Sequence, residues 1–525
     1  MIAEVIVVKE FNITGTCYPE SHYMVNLDSR LAQIKQMVDA GKYFSINKGR
    51  QYGKTTTLRA LSKYLNAEYI VIRLDFQGIG SFEFENECTF ARAMARELYR
   101  LKSVKLHMSH EVQKEIKKIK SYDNSYLLAD LFHVFGKWCE ESENPIVLMI
   151  DEVDQASNNQ VFLDFLAQLR KDYLNRDEIF TFQSVILAGV HDIRNLKLKI
   201  RPDSEHKHNS PWNIAAKFDV DMSFSQEDIA GMLEEYEADH QTGMNIPELS
   251  ALIYEYTSGY PVLVSHICKI VDEELSVWNR ESIVKAVGMI VSSKTMLFES
   301  LMNKLEDDEE LKESVYSVLM SGDRLTYNPD DSSVDLALMY GFFKVVDGNV
   351  QIANRMFETR IYNAFLTSRK MQKAPIYKAG ETDKPEFISN GHLNMELVLE
   401  RFSQVYINLY GEHPEDFQEH EGRKLFLLFL RPIINGTGNF YIEAETRNRR
   451  RTDVVVDYFG EQHIIEMKVW HGEKYHAEGE QQLSDYLDYH HLKKGYLLTF
   501  NFNQEKETGI KHVQFGDKEL IEVTV

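Results

Sequence analysis

The chain has 525 residues, 43% of them apolar and 27% charged, which reads as globular and is too long for one ordinary core, so three or four domains are expected. A net charge of −22 argues against a protein that coats nucleic acid, because such binding gains mainly from lysine and arginine at phosphates. The 4 cysteines are scattered without a C-x-x-C pair, which argues against structural zinc and a disulfide framework and fits reduced thiols in a cytoplasm.

The chain starts with "MIAEVIVVKEF", which has no basic lead-in and is broken by Glu4, so no secretory signal is expected. Apolar runs such as "IVLMI" (146–150) fall far short of a membrane span. From about 30 to 200, short β-rich runs ("YFSIN", "YIVIRLDF", "PIVLMID", "FQSVILAGV") alternate with helical stretches, the pattern of a parallel sheet with helices on both faces. From about 224 to 300 the sequence turns helical: Ser225 with Asp228 caps "EDIAGMLEEYEAD", and "ELSALIYEYTSG" stops at Gly259 before Pro261. Residues 305–366 read as helices followed by two β-rich runs around Asp347-Gly348, a two-residue hairpin signal, and so as a small winged-helix unit. The stretch 367–391, with prolines, glycines and few large apolar residues, reads as a linker. The expected domains are therefore 1–203 (nucleotide-binding core), 204–304 (helical lid), 305–366 (winged helix), 367–391 (linker) and 392–525 (a small mixed α/β unit).

The chemistry begins at "YFSINKGRQYGKTTTLRAL" (43–61). The phosphate-loop pattern G-x-x-x-x-G-K-[ST] fits from Gly53, Lys54 and Thr55, but Lys48 stands where the first glycine belongs and Gly49 follows it. Such a loop works because backbone N–H groups converge on phosphate oxygens at a helix start. Gly53 permits close approach, Lys54 reaches the β- and γ-phosphates, Thr55 holds Mg²⁺, and Thr56 continues the helix start. A chance GKT turn would explain this stretch alone. "NPIVLMIDEVD" (144–154) adds a buried strand ending in two acids, of which Asp151 would hold Mg²⁺ through water and Glu152 would polarise the attacking water. By itself that run reads as a strand end with solvated acids; the two motifs in this order point to a nucleotide site.

With both motifs in place, the chain resembles P-loop ATPases of the AAA+/STAND type, specifically bacterial AAA-like ATPases fused to a PD-(D/E)XK nuclease domain. The resemblance covers nearly the whole chain. It implies a sensor at His191 or Asp192 in "SVILAGVHDIRNL" and a G-x-P turn at Gly259-Tyr260-Pro261 against the nucleotide. A plain helix C-cap would account for that turn nearly as well. No arginine finger can be assigned; Arg194 and Arg201 are nearby candidates. The implied fold class is α/β: a P-loop parallel sheet, a helical lid and winged helix, then a small PD-(D/E)XK-like domain.

In "RRRTDVVVDYFGEQHIIEMKVW", Asp453 opens one β run, and Glu466 and Lys468 lie two apart on the next, facing the same side. Two carboxylates and an ammonium at one place fit metal-assisted phosphodiester hydrolysis, with Asp453 and Glu466 on Mg²⁺ and Lys468 orienting or stabilising charge. A surface salt-bridge pair is the plainer account of Glu466 and Lys468 alone. The order helix–strand–strand–strand–helix–strand resembles the PD-(D/E)XK core, in which Glu421 matches the accessory acid and Gln482 the glutamine of the second helix. "RNRRR" (447–451) would contact phosphates. The expected activity is ATP hydrolysis coupled to a Mg²⁺-dependent nuclease in the cytoplasm. The expected partners are ATP, nucleic acid at the C-terminal domain and further copies of this chain, with no membrane. Two rivals stay open: a signalling or scaffold ATPase whose C-terminal unit binds without cutting, and a remodeller working through the winged helix.

Overall fold

In the computed structural model the described residues are 9–121, 126–157, 159–190, 211–321, 325–411, 417–435, 438–441, 454–458, 461–489, 492–503 and 508–525. They form two compact units. The first runs to His240 and takes in Gly259–His266 and Met339–Gly341; the second holds Gln241–Ser258, Ile267–Leu338 and Phe342–Val525.

The four β-rich runs of the N-terminal region become strands β1 (Phe44–Asn47), β2 (Ile70–Asp75), β3 (Ile146–Asp151) and β4 (Ser184–Gly189). They pair in the order β1-β4-β3-β2, all parallel. Alternate side chains point to opposite faces, and both faces are covered, which is why the runs are almost continuously apolar. Ile70, Ile72, Leu74, Leu148 and Ile150 join Phe90, Phe132, Phe165 and Trp138 from helices Glu87–Arg100, Leu128–Glu141 and Gln160–Leu174 in one core. Helix Lys54–Leu65 packs on β2, β3 and β4. The parallel arrangement brings the C-terminal ends of β1 and β3, and thus the loop after Asn47 and the acids at Asp151, to the same edge.

The second unit is mostly helical up to residue 366, as expected, with a hairpin of β5 (Phe343–Val346) and β6 (Asn349–Ile352). Its turn is the one the sequence signals: Asp347 (φ 50°) and Gly348 (φ 76°) both take left-handed backbone, and Val346 pairs with Asn349. The stretch read as a linker is not one. Pro375–Phe387 is a helix with Ile376, Tyr377, Gly380 and Phe387 buried, followed by the short strands β7 (Ile388–Ser389) and β8 (His392–Leu393). Its glycine serves packing: a Cβ on Gly380 would lie 2.1 Å from the carbonyl oxygen of Phe429 in helix Glu419–Ile434, so the two backbones meet where no side chain would fit.

The C-terminal sheet contains β9 (Gly438–Tyr441), β10 (Val454–Tyr458), β11 (Glu461–Val469), β12 (Lys494–Phe500), β13 (Gly509–Phe515) and β14 (Lys518–Thr524). Their order is β13-β14-β12-β11-β10-β9, with β11, β12 and β14 mutually parallel and the other pairs antiparallel. Helix Glu419–Ile434 precedes β9, and helix Glu473–Tyr489 connects β11 to β12. The helix–strand–strand–strand–helix–strand succession read from the sequence is therefore present.

Candidate nucleotide site and C-terminal acidic cluster

The loop between β1 and helix Lys54–Leu65 enters the helix through Gly53 in left-handed backbone (φ 76°). Lys54, 7% exposed, donates from Nζ to the carbonyls of Lys48 (2.8 Å) and Gly49 (2.9 Å). The residue that interrupts the familiar glycine pattern thus contributes a backbone carbonyl, while its ammonium lies over the ring of Tyr52 in the same loop, 5.8 Å from the centroid. Burial lowers the Lys54 pKa, while Glu152, Asp154 and Asp151 pull it back up. The Thr55 side chain lies beside the Asp151 carboxylate and favours its charged form. Burial raises the pKa of Asp151, against the Thr55 contact and the Glu152 N–H, which donates to Asp151 Oδ1 at 3.0 Å. Glu152 is itself raised by burial, opposed by Lys54, and holds left-handed backbone (φ 53°), a conformation costly for a side-chain-bearing residue and one that clusters at functional sites.

Two further acids were not singled out from the sequence. Asp75 ends β2 and is the register partner of Asp151; the same strand-end logic applied to "IVIRLD" would have found it. Asp154 accepts the N–H of Val190 just after β4 and so ties the acidic turn to the neighbouring strand. Thr56 has a different task from Thr55: its hydroxyl oxygen accepts the N–H of Cys17 at 3.2 Å. It thereby holds the N-terminal segment, whose Asn12, Cys17 and Val25 line a cavity together with Gly53, Thr56 and Pro261. Nothing in the sequence marks that segment as a pocket wall.

The G-x-P turn reaches the loop from the other side. Tyr260 donates its hydroxyl to the Arg50 carbonyl (2.6 Å) and stands edge-on to Tyr52 at 4.6 Å between centroids. His191, Asp192, Arg194 and Arg201 lie outside the described residues.

Residues 14–363 match the model of the AAA-like domain. The chain belongs to the AAA-like domain family. No curated protein matches it in sequence. Among solved structures, this AAA-like protein is similar to the Walker-type ATPase of Pyrococcus abyssi (12% identity, 67% of this chain and 99% of that one, TM-score 0.47). It is also similar to the ORC2 protein of Aeropyrum pernix (12%, 65% and 94%, TM-score 0.37). A third similarity is to the RuvB Holliday junction branch migration motor of Thermotoga maritima (11%, 65% and 96%, TM-score 0.31). No described helix of the AAA-like protein is long and apolar enough to cross a membrane.

Beyond the matched residues, the C-terminal sheet carries its own charged cluster. Glu466, 0% exposed on β11, lies with Oε1 3.0 Å from Lys468 Nζ. A second carboxylate reaches the same ammonium, Glu419 Oε1 at 3.6 Å. Glu421, the acid expected to assist here, has its Oε2 accepting the N–H of Gln418 (3.4 Å), which closes the start of helix Glu419–Ile434. Gln482 is partly buried on helix Glu473–Tyr489, with an Oε1 that is shielded from water and has no hydrogen-bond partner among the described residues. Asp453 and the basic run 447–451 lie outside the described residues.

Proposed function

We propose that the chain is an ATP-binding and ATP-hydrolysing AAA-like ATPase whose C-terminal domain is a Mg²⁺-dependent PD-(D/E)XK-type nuclease. The observation that carries the first half is the meeting of Thr55 and Asp151 beside the buried Lys54 at one edge of the parallel sheet. A hydroxyl and a carboxylate are hard oxygen donors and fit Mg²⁺, which when bound would offset phosphate charge. Backbone N–H groups of Gly49 and Gly53 would cradle phosphates, and Lys54 would exchange its two carbonyl partners for phosphate oxygens. Glu152, whose pKa is raised by burial, would accept the proton of the attacking water. Gly259 and Pro261 would border the nucleotide, with His191 as the sensor.

For the second half the support is a fully buried carboxylate, Glu466, in contact with the ammonium of Lys468 on a central strand. The oxygen donors of Glu466, Glu419 and Asp453 fit Mg²⁺, which would lower the pKa of a bound water. Lys468 would stabilise charge on the phosphate, Gln482 would orient Lys468 or the water, and nucleic acid would be the substrate. The helix-and-hairpin unit before it would act as a winged helix. Copies of the chain would assemble in the cytoplasm.

The test is ATP hydrolysis and plasmid cleavage measured side by side with Mg²⁺ on wild type, Lys54→Ala and Glu466→Ala. Lys54→Ala should lower ATP hydrolysis by roughly a hundredfold or more. Glu466→Ala should abolish cleavage and spare ATP hydrolysis. Absence of cleavage by wild type under every nucleotide condition would remove the nuclease half and leave the ATPase half standing.

A further inference from the structure

Apart from both sites, helix Glu473–Tyr489 carries His476 and Glu480 four residues apart on one face, opposite Glu522 of β14. One ligand atom from each of the three lies within 4.8 Å of the other two. Glu522 is 6% exposed. His476 Nε2 stands 3.2 Å from Glu522 Oε1, yet the two are not aligned as a hydrogen bond: Glu522 Oε1 and His476 Nδ1 are both shielded from water without a hydrogen-bond partner. Two carboxylates therefore converge on one imidazole in a half-dry place. Burial and the facing Glu522 raise the pKa of Glu480. The remaining cation nearby, Lys511, is 4.0 Å from Glu522 Oε2 and 76% exposed, too long and too wet a contact to neutralise the pair.

We propose that His476, Glu480 and Glu522 bind one divalent transition-metal ion, Zn²⁺ by preference. Mg²⁺ and Ca²⁺ select oxygen donors alone, whereas one imidazole with two carboxylates is a nitrogen–oxygen set that suits Zn²⁺. With metal–ligand bonds of about 2.0–2.2 Å, ligand atoms around a tetrahedral ion stand about 3.4 Å apart. The His476–Glu522 edge, at 3.2 Å, is already close to that spacing. The other two edges lie within 4.8 Å, and an ion would draw the partly buried Glu480 carboxylate inward. All three ligands sit on a regular helix and strand, which fixes a site better than loops do.

The site is separate from the Glu466 cluster and does not rest on the nuclease reading. Glu466 pairs with Leu497, and Leu497 pairs with Glu522, so the two acids lie two strands apart, about 10 Å. An ion here would pin helix Glu473–Tyr489 to β14.

The experiment is calorimetric titration of the metal-stripped full-length protein with Zn²⁺, in excess Mg²⁺ so that oxygen-only sites are filled. One equivalent should bind per chain. His476→Ala and Glu522→Gln should each weaken binding by roughly a hundredfold, whereas Glu466→Gln should leave it unchanged. Co²⁺ in place of Zn²⁺ should give the visible absorption of a low-coordinate site in wild type and lose it in His476→Ala. Circular dichroism checks folding, and the half-buried His476 makes His476→Ala the deciding variant should Glu522→Gln misfold. No Zn²⁺ binding by wild type, or binding unaltered in folded His476→Ala, would overturn the proposal.

Discussion

Gly259 and Phe224 touch backbone to backbone: the Phe224 N–H donates to the Gly259 carbonyl at 2.9 Å, and a Cβ on Gly259 would lie 1.9 Å from the Phe224 carbonyl oxygen. Gly259 also has φ 71°, which a side chain disfavours. The contact fixes where Tyr260 and Pro261 meet the phosphate-loop region. Gly259→Ala has no rotamer that relieves a backbone clash, so it should destabilise the N-terminal unit by about 3 kcal/mol. Thermal unfolding followed by calorimetry would register this as a lowered first transition, and ATP should protect the variant less than wild type. An unchanged transition would mean that the turn is a helix stop with no positioning role.

Much of the nucleotide region was legible because each demand there is local. The strand, the GKT helix start and the strand ending in acids are each a short contiguous run, and parallel pairing leaves only one edge on which they can meet. The pocket wall was not legible: Asn12, Cys17 and Val25 reach it through long-range contacts with no periodic pattern, among them the Cys17 N–H to Thr56 and the Tyr23 hydroxyl to Asp239. The metal-capable trio His476, Glu480 and Glu522 was hidden for the same reason. Two of its members share a helix face, but the third is a strand residue brought in by β14 pairing beside β12. Counting cysteines, the usual route to a zinc site, would never find it.

Gly380 tests the stretch that looked like a linker. Pro385 and exposed charges gave "PIYKAGETDKPEF" a loop-like composition, but Gly380 lets helix Pro375–Phe387 press against Phe429 and Pro432. Gly380→Val should therefore cost about 3 kcal/mol, as overpacking a tight helix contact does, where a true linker would tolerate it without effect. Urea unfolding monitored by far-ultraviolet circular dichroism decides between them.

His463 on β11 should make the C-terminal unit acid-sensitive. Burial, the dominant cause, lowers its pKa to about 4 from the ordinary 6.5, and its Nε2 has no hydrogen-bond partner. The unfolded chain binds this proton first, so the neutral ring's contribution is complete above about pH 6.5 and is lost as pH falls toward 4. The loss should reach about 3 kcal/mol at the acid end. Denaturant unfolding at a series of pH values should give a shallower acid slope for His463→Gln than for wild type. Parallel slopes in the two proteins would contradict this.

Glu419 and Glu421 give the sharpest comparison, since they lie in the same helical turn and differ only in direction. Glu419 approaches Lys468, and Glu421 turns back to the Gln418 N–H. If the cluster at Glu466 works on phosphodiesters, Glu419→Gln should lower Mg²⁺-dependent cleavage roughly tenfold or more with little change in stability. Glu421→Ala should instead cost about 1 kcal/mol of helix-start stability and leave the cleavage rate per folded molecule intact. Cleavage kinetics normalised to the folded fraction separate the two outcomes. A larger rate loss for Glu421→Ala than for Glu419→Gln would mean that the first turn of helix Glu419–Ile434 rearranges when substrate binds, restoring the accessory acid to the position the motif alone suggests.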